Sequence, residues 1–382
     1  MTHYIGLADC DCFFVSAERA FNRKLEGIPV AVLSNNDGCI VSRSKEAKAL
    51  GLKMGEPYFI AKNRVKDVIF VRANHDLYQN MSYQVMNMLK NFSPDVEVCS
   101  IDEAFIDLTG TKLLYKQNYI KTAIMIRNEI WNKLHIPVSI GLSTTKTLAK
   151  LASDKAKNNG GIFAIGQAKR NKVLATTSIA DISGIGKKLN QKMREECIFT
   201  AFDFVCRPDY WIKGNFGKHG MDLKNELSGI SLFKVEKENK SPLSIQQTSA
   251  LKEFTSDLNV LKSALNEHIH KACKRARSEN LKAVFIEVML RSKDFRVFTS
   301  KIKLNFPTNQ ENEINTIALN ELIKIYSPLI VWRSVGITLF GLIKNDIKQE
   351  DLFTPTIKSN EKFGKLLDQL EAKFGKDIVH FG

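Results

Sequence analysis

Three acidic residues, Asp9, Asp102 and Glu103, stand in apolar runs of the sequence that favour β-strands. Asp9 ends the run HYIGLAD, and the other two interrupt SIDEAFIDL. A carboxylate in such surroundings has to be hydrogen-bonded, metal-bound or protonated. Carboxylate oxygens suit Mg²⁺, and two such ions ~3.5–4 Å apart stabilise an in-line phosphoryl displacement. The acids therefore predict a magnesium site that acts on phosphates, unless each is only a turn residue or a solvated strand end.

The elements around these acids decide whether the three side chains meet. Alternating hydrophobicity predicts a strand over 3–8, a second over 95–101 and a third over 104–108. Asp102 and Glu103 then fall at the tight connection of a hairpin or just inside its second strand. If the first strand lies beside that hairpin, the three carboxylates converge at one end of a sheet. The sequence alone does not place Asp9 there.

The composition indicates the class of substrate. Of 382 residues, 56 are Lys or Arg and 41 are Asp or Glu, which gives a net charge of +15 and a pI near 9.3. Such a surplus favours nucleic acid or an anionic membrane as partner. No apolar run approaches ~20 residues and no signal-peptide layout opens the chain, so a membrane is not expected. Seven cysteines without a CxxC pair indicate reduced thiols in the cytoplasm and no structural zinc.

Residues 1 to about 165 mix strands with helices. Helices are predicted at 14–25, 44–50, 120–134 and 144–157, and strands at 29–34, 39–43 and 137–142. Ser44 is the expected N-cap of the second helix, and Asn35–Gly38 is a strong turn signal. This order predicts an α+β sheet with helices on one face and a smaller inserted lobe at about 25–80.

The next segment, 166–235, reads as broken helices, and 236–243 as a polar linker. Its clearest motif is ISGIGKKLNQKM, which has Gly184 and Gly186 between an apolar segment and a helix. It resembles a helix-hairpin-helix turn, whose backbone N–H groups hold a DNA phosphate, and Lys187 and Lys188 add positive charge. An ordinary loop between helices is an equally good interpretation.

Residues 244–345 predict a second α/β unit. Helices near 257–279 and 315–327 alternate with strands near 282–291, 295–305 and 333–341. Basic residues gather along its second strand: Arg291, Lys293, Arg296 and Lys301. Such charge often serves only solubility, but on so basic a chain a DNA-backbone contact is the better interpretation.

Four motifs together resemble the Y-family translesion DNA polymerases: DCDCFF, SNNDGCIVSRSKEAKALGLKMGEPYF, SIDEAFIDL and GLSTTKTLAKLASDKAKNNGG. SNNDGCIVSRS is similar to the UmuC type, the catalytic subunit of bacterial DNA polymerase V. The resemblance covers essentially the whole chain. It implies an α+β multidomain, right-hand fold with a ferredoxin-like palm (1–24 and 80–165), small fingers (25–79), a helical thumb with a helix-hairpin-helix (166–235), a linker (236–243), an α/β little finger (244–345) and a tail (346–382).

The same resemblance implies roles for individual residues. The ligands of two Mg²⁺ ions are Asp9, Asp102, Glu103 and the backbone carbonyl of Cys10. Phe14 is the steric gate beneath the incoming sugar, and the triphosphate contacts are Ser42, Lys45, Lys48 and Lys157. Plain core packing for Phe14 and a solvated helix face for Lys45 are the simpler alternatives. The chain departs from many relatives in having Cys12 instead of an aromatic residue and Lys48 instead of Arg.

In the tail, QEDLF resembles the pentapeptide by which bacterial polymerases bind the sliding clamp, with Gln349, Leu352 and Phe353 as its contact residues. The implied activity is DNA-directed DNA synthesis from a primer opposite damaged template, using deoxynucleoside triphosphates, in the SOS response. A UmuD-type dimer and RecA are the further partners that this family implies, and the location is the bacterial cytoplasm at the nucleoid.

Two other classes of function remain open at this point. One is a noncatalytic DNA-binding regulator of stalled forks or RecA filaments, built on the same fold. The other is a palm-fold nucleotide cyclase or a nuclease. The three acids in apolar surroundings argue against the first, and the basic second unit and the clamp-like peptide argue against a cyclase.

Overall fold

A computed structural model describes residues 3–34, 38–237 and 241–345, together with residues 369 and 373. The chain divides into two compact units, residues 1–239 and 240–382. Within the described ranges, no helix is both long enough and apolar enough to cross a membrane.

The strands of the first unit are β1 (Ile5–Cys10), β2 (Val30–Leu33), β3 (Ile40–Arg43), β4 (Ile69–Arg72), β5 (Val96–Val98), β6 (Glu103–Asp107), β7 (Val138–Ser143) and β8 (Ile162–Ala164). Its helices are α1 (Phe13–Phe21), α2 (Lys45–Ala49), α3 (Tyr58–Arg64), α4 (His75–Lys90), α5 (Thr111–Tyr115), α6 (Tyr119–Leu134), α7 (Lys146–Ala156), α8 (Gln167–Ala175), α9 (Lys187–Glu195), α10 (Ala201–Cys206) and α11 (Asp209–Leu227).

The second unit contains β9 (Ser244–Thr255), α12 (Leu258–Ser278), β10 (Leu281–Ser292), β11 (Val297–Thr308), α13 (Glu311–Ile325), β12 (Trp332–Phe340) and β13 (Ile343–Lys344). Its sheet has the order β11-β10-β12-β9, with every neighbouring pair antiparallel. Side chains of α12 and α13 pack with alternate residues of these strands in one apolar core. The opposite face of the sheet carries no helix of the described unit.

The main sheet of the first unit has the order β5-β6-β1-β7-β8. Strand β1 lies in its centre and pairs antiparallel with both β6 and β7. Ala8 and Cys10 pack with α4 and α6 on one face, whereas Ile5 and Leu7 contact Ala149 of α7 on the other. The expectation of helices on one face only is wrong, because β1 is apolar on both sides and each side needs cover.

Helix α7 lies directly on the backbone of β7. A Cβ atom added to Gly141 would stand 2.0 Å from the Ser153 nitrogen and 2.3 Å from the Ala149 oxygen. Only glycine leaves room for such an approach of two backbones. Gly141 thereby fixes the distance between α7 and the main sheet.

A smaller sheet of order β3-β2-β4 forms the inserted lobe, with β2 and β3 antiparallel and β2 and β4 parallel. The Ser44 hydroxyl caps α2 by accepting from the Ala47 N–H at 3.1 Å, and it also accepts from the Val30 N–H at 3.1 Å. The predicted cap of this helix is confirmed. The predicted turn at Asn35–Gly38 lies largely outside the described residues, which resume at Gly38.

Buried Glu226 of α11 joins the helical part of the first unit to α7. Its carboxylate accepts from the Thr147 N–H at 3.1 Å, in the first turn of α7, and from the Leu232 N–H at 2.8 Å. Its backbone carbonyl accepts from the Thr145 hydroxyl at 2.9 Å. These bonds satisfy donors at a helix N-terminus that would otherwise be buried without partners.

Candidate active site

A cleft of about 540 Å³ lies at the end of β1, between the main sheet and the smaller one. The predicted site residues that line it are Asp9, Cys10, Phe14, Ser42, Lys45, Lys48, Asp102 and Lys157. Residues from β1, α1, β3, α2 and the end of α7 therefore meet in one place, although up to 148 positions separate them in the sequence. Asp11, Cys12 and Arg43 line the same cleft.

The hairpin that carries the other acids lies beside β1. Asp9 of β1 pairs directly with Glu103 of β6, and the Cys10 N–H donates to the Asp102 carbonyl at 2.8 Å. Asp102 is in the connection and Glu103 is the first residue of β6. The geometric condition on which the predicted site depends is thus confirmed.

Each of the three carboxylates has its own partner. Lys157 donates to Asp9 at 2.9 Å, and Lys150 of α7 donates to both oxygens of Glu103 at 2.9 and 3.0 Å. The Ser100 hydroxyl donates to Asp102 at 2.5 Å. Lys150 is a site residue that the sequence analysis missed.

The three acids lie at the same end of the sheet, but only two of them line the cleft. Asp9 and Asp102 line the cleft, and Glu103, bonded to Lys150, does not. Within 3–34, 38–237 and 241–345, no three His, Cys, Asp or Glu side chains are arranged to hold a metal ion. The three carboxylates thus lie at one end of the sheet, and both oxygens of Glu103 are bonded to Lys150.

The electrostatics of the cleft favour a bound cation. Burial raises the pKa of Asp9 to about 6, against the lowering effect of Lys157, and the nearby charges of Asp102 and Asp11 raise it further. Burial, with the same kind of acidic neighbours, also raises the pKa of the Cys10 thiol. Crowded carboxylates in a partly dry site gain from a hard divalent ion, and their oxygens are the donors that Mg²⁺ takes. Asp9 and Asp102, with Glu103 beside them at the end of the sheet, thus offer the oxygen donors that a magnesium ion takes.

Phe14 lines the cleft, and its ring is packed against a second aromatic ring. Its ring stacks on Tyr78 of α4, with centroids 4.4 Å apart and planes 15° from parallel. The Tyr78 hydroxyl donates to Glu18 at 2.7 Å, and burial raises the pKa of this tyrosine. Phe14 therefore packs against the apolar core through Tyr78 and also lines the cleft.

Basic residues face the acids across the cleft. Lys45 and Lys48 are exposed on α2, three positions apart and hence on one side of the helix, and Ser42 is buried on β3. Arg43 adds a cation that the sequence analysis missed. A polyanion placed between these groups and the carboxylates would meet positive charge on one side and, on the other, acids that suit a divalent cation.

The predicted DNA contacts of the first unit lie on an exposed turn. Gly184 has φ +91°, a left-handed conformation that favours glycine, and Gly186 is the N-cap of α9. Lys187 and Lys188 open that helix and are exposed. The turn therefore places two exposed lysines in the first turn of α9.

In the second unit the four basic residues occupy two places. Arg291 and Lys301 lie on the face of the sheet opposite the helices, where Lys301 stands over the rings of Phe285 and Phe340 at 5.3 and 4.6 Å. Lys293 and Arg296 lie in the turn between β10 and β11. Gln349, Leu352 and Phe353 lie outside the described residues.

Residues 8–154 match the model of the impB/mucB/samB family, and residues 242–352 match the model of its C-terminal domain. Protein UmuC of Salmonella typhimurium is 30% identical over 98% of this chain and 92% of its own. DNA polymerase IV of Oceanobacillus iheyensis is 30% identical over 97% of this chain and 89% of its own.

Among solved structures, a Y-family DNA polymerase chimera of Dbh and Dpo4 has a TM-score of 0.76 and 26% identity, covering 90% of this chain and 100% of its own. An insertion ternary complex of Dbh DNA polymerase has a TM-score of 0.62 at 25% identity, with the same coverage. With these matches over nearly its full length, the chain belongs to the impB/mucB/samB family and is a Y-family DNA polymerase of the UmuC type, with the α+β, multidomain right-hand fold of that family.

Proposed function

We propose that this chain extends the 3′ end of a DNA primer opposite damaged template, in the SOS response, using two Mg²⁺ ions held by Asp9, Asp102 and Glu103. The observation that carries the proposal is the cleft itself. Two of these carboxylates, Asp9 and Asp102, line it together with the lysines of α2 and the aromatic ring of Phe14. When bound, the ions supply charge neutralisation and activation of the primer hydroxyl.

The residues of the chain bind and orient the nucleotide. Ser42, Lys45 and Lys48 hold the triphosphate from the side of the smaller sheet, and Lys157 does so from α7. Lys157 is bonded to Asp9 at 2.9 Å, so it turns from the carboxylate to the phosphate when the nucleotide enters. Phe14, fixed by its stack on Tyr78, meets the sugar and excludes a 2′-hydroxyl.

Primer-template DNA is held by two sequence-independent surfaces. The turn at Gly184 and Gly186, with Lys187 and Lys188, binds a backbone phosphate at the start of α9. The second unit contacts further phosphates through Arg291 and Lys301 on its sheet surface and through Lys293 and Arg296 in the turn between β10 and β11. The similarity to an insertion ternary complex of Dbh DNA polymerase supports DNA as the partner of these surfaces.

Three protein partners complete the proposal. Gln349, Leu352 and Phe353 bind the sliding clamp, and a UmuD-type dimer and RecA act with the chain at the nucleoid of a bacterial cytoplasm. The last two partners follow from the resemblance of the sequence motifs to the UmuC type.

Primer extension on one gel tests the proposal. A labelled primer on an undamaged template, and on one with an abasic site, is incubated with the chain, Mg²⁺ and four deoxynucleoside triphosphates. We expect the primer to lengthen on both templates. Asp102→Asn should lower the rate at least about a thousandfold, because the lost interaction is worth several kcal/mol in the transition state.

Asp107→Asn is the matched control, since Asp107 ends β6, the strand that follows Asp102, lies outside the cleft, and its side-chain oxygen accepts from the Thr109 N–H at 2.8 Å. It should extend primers at the parent rate. A shortened primer would identify a nuclease, and consumption of triphosphate in the absence of primer would identify a cyclase. Binding that slows the DNA in a native gel, without any primer extension, would identify a noncatalytic regulator. Each of these outcomes contradicts the proposal.

A further inference from the structure

Three lysines on one side of α7 bond to carboxylates on three neighbouring strands of the main sheet. Lys146 bonds to Glu97 of β5, Lys150 to Glu103 of β6, and Lys157 to Asp9 of β1. The lysines are four and seven positions apart, so all three project from nearly the same side of the helix. The helix thus supplies one positive charge to each acidic strand.

The Lys150–Glu103 pair differs from the Lys157–Asp9 pair in whether its carboxylate reaches the cleft. Asp9 lines the cleft although Lys157 contacts it, and only one of its oxygens is bonded to that lysine. Both oxygens of Glu103 are bonded to Lys150, and Glu103 does not line the cleft. Lys150 therefore occupies the oxygens through which Glu103 would contact a metal ion.

The same bonds relieve a repulsion within the sheet. Asp9 and Glu103 are directly opposite each other in the antiparallel pair, an arrangement that destabilises a sheet when both side chains carry like charge. Their side chains are only 17% and 19% exposed, so water screens them incompletely. An ammonium group beside each carboxylate compensates this charge.

We infer that Lys150 is a positioning residue that keeps Glu103 turned from the cleft and competes with the divalent ion for its carboxylate. This inference rests on the proposed metal role of Asp9, Asp102 and Glu103. The competition sets the affinity of the site for the ion: a divalent cation has to displace Lys150, and the lysine stabilises the sheet when the ion is absent.

Direct titration of the full chain with Mn²⁺, followed by the electron paramagnetic resonance of the free ion, tests the inference without any turnover. Lys150→Met removes the charge and keeps most of the length of the side chain. We expect it to bind Mn²⁺ about tenfold more tightly, which corresponds to about 1.4 kcal/mol. In EDTA its melting temperature should be lower than that of the parent, and Mn²⁺ should raise it by more than it raises the parent's.

Two variants control for general effects on the helix. Lys146→Met removes the equivalent pair with Glu97, which has no proposed metal role, so it should lower stability equally with and without Mn²⁺ and leave the affinity unchanged. Lys150→Arg keeps the charge and should bind Mn²⁺ with near-parent affinity. If Lys150→Met does not fold, Lys150→Gln provides the same comparison with a shorter neutral side chain.

The results separate this inference from the proposed function. If the parent binds Mn²⁺ and Asp102→Asn does not, the metal site stands, and equal or weaker binding by Lys150→Met would overturn the role of Lys150 alone. If the parent itself binds no Mn²⁺, the proposed metal site fails and the inference fails with it.

Discussion

Asp9 lies directly opposite Glu103 in the β1–β6 pair, yet the two carboxylates bond to different lysines. Asp9 bonds to Lys157 at the C-terminal end of α7, and Glu103 bonds to Lys150 within that helix. The charge of the acids is balanced from one side of the sheet by α7. The cleft is left with Asp9 and Asp102 facing the cations of α2. The acids lie on the strands and their connection, and the lysines that balance their charge come from α7, so each group is testable by itself.

Neutralising Asp9 should stabilise the fold at neutral pH. Its pKa is about 6 in the folded chain against 3.8 for the ordinary group, so ionisation between these values disfavours the folded state. Asp9→Asn should therefore be more stable than the parent by up to ~3 kcal/mol at pH 8 and about equally stable at pH 4. Urea unfolding in EDTA at the two pH values measures this. A variant that is less stable at pH 8 would contradict the prediction.

Removing the ring of Phe14 should relax the choice of sugar. Phe14→Ala should raise the use of ribonucleotides relative to deoxynucleotides about 10- to 100-fold, the range for a steric contact worth 1–3 kcal/mol. Single-nucleotide insertion with matched ribo- and deoxyribonucleoside triphosphates gives this ratio. Phe14→Tyr keeps the ring over Tyr78 and serves as the control. Unchanged selectivity in Phe14→Ala would show that Phe14 is only a packing residue.

The α2 lysines should act on nucleotide binding more than on the chemical step. Lys48→Met and Lys45→Met should each raise KM for the incoming triphosphate by about tenfold, since a charge-assisted contact is worth ~1.5–3 kcal/mol less solvent screening. Lys62→Met on α3, outside the cleft, should leave KM unchanged. Steady-state insertion kinetics supply both constants. A fall in kcat alone would assign these lysines to the transition state.

Loss of Glu226 should weaken the attachment of α11 to α7. Glu226→Ala leaves the N–H groups of Thr147 and Leu232 without their acceptor, so we expect a loss of about 3 kcal/mol in the free energy of unfolding. Glu226→Gln keeps an acceptor and should lose less. Glu129→Ala, which removes an exposed pair with Lys133, should change stability by under ~0.5 kcal/mol. Denaturant unfolding compares the three variants.

The tail peptide should matter only when the clamp is present. Replacing Leu352 and Phe353 together with Ala should leave primer extension by the chain alone at the parent rate, and it should abolish stimulation by a loaded sliding clamp. Product length with and without the clamp is the measurement. Stimulation that survives the double substitution would assign clamp binding to another surface.

Local rules predicted the elements that carry the acids. Alternation along 3–8 and 104–108 located β1 and β6, and the serine before a helical pattern located the cap of α2. These signals depend on neighbouring residues, so the sequence displays them directly. The family resemblance added the roles of the side chains, which no periodicity provides.

Other features were hidden for identifiable physical reasons. Strand β9 (SIQQTSALKEFT) is an edge strand that buries little besides Ile245, so its mostly polar residues lack the apolar alternation that predicts a strand. Helix α4 was missed as well. The shared side of Lys146, Lys150 and Lys157 was visible as a helical spacing, but the acids they meet lie on strands up to 148 positions away. Only the tertiary structure fixes those pairings.

The close contact at Gly141 should restrict which residues homologues carry at this position and at the lysines of α7. Since two backbones touch there, a single added methyl group would push α7 outward and lengthen every lysine-to-carboxylate distance at once. A relative with alanine at this position would need longer cations, such as arginine, at the positions of Lys150 and Lys157. We therefore expect the residue at position 141 to covary with the residues at positions 150 and 157 across homologues.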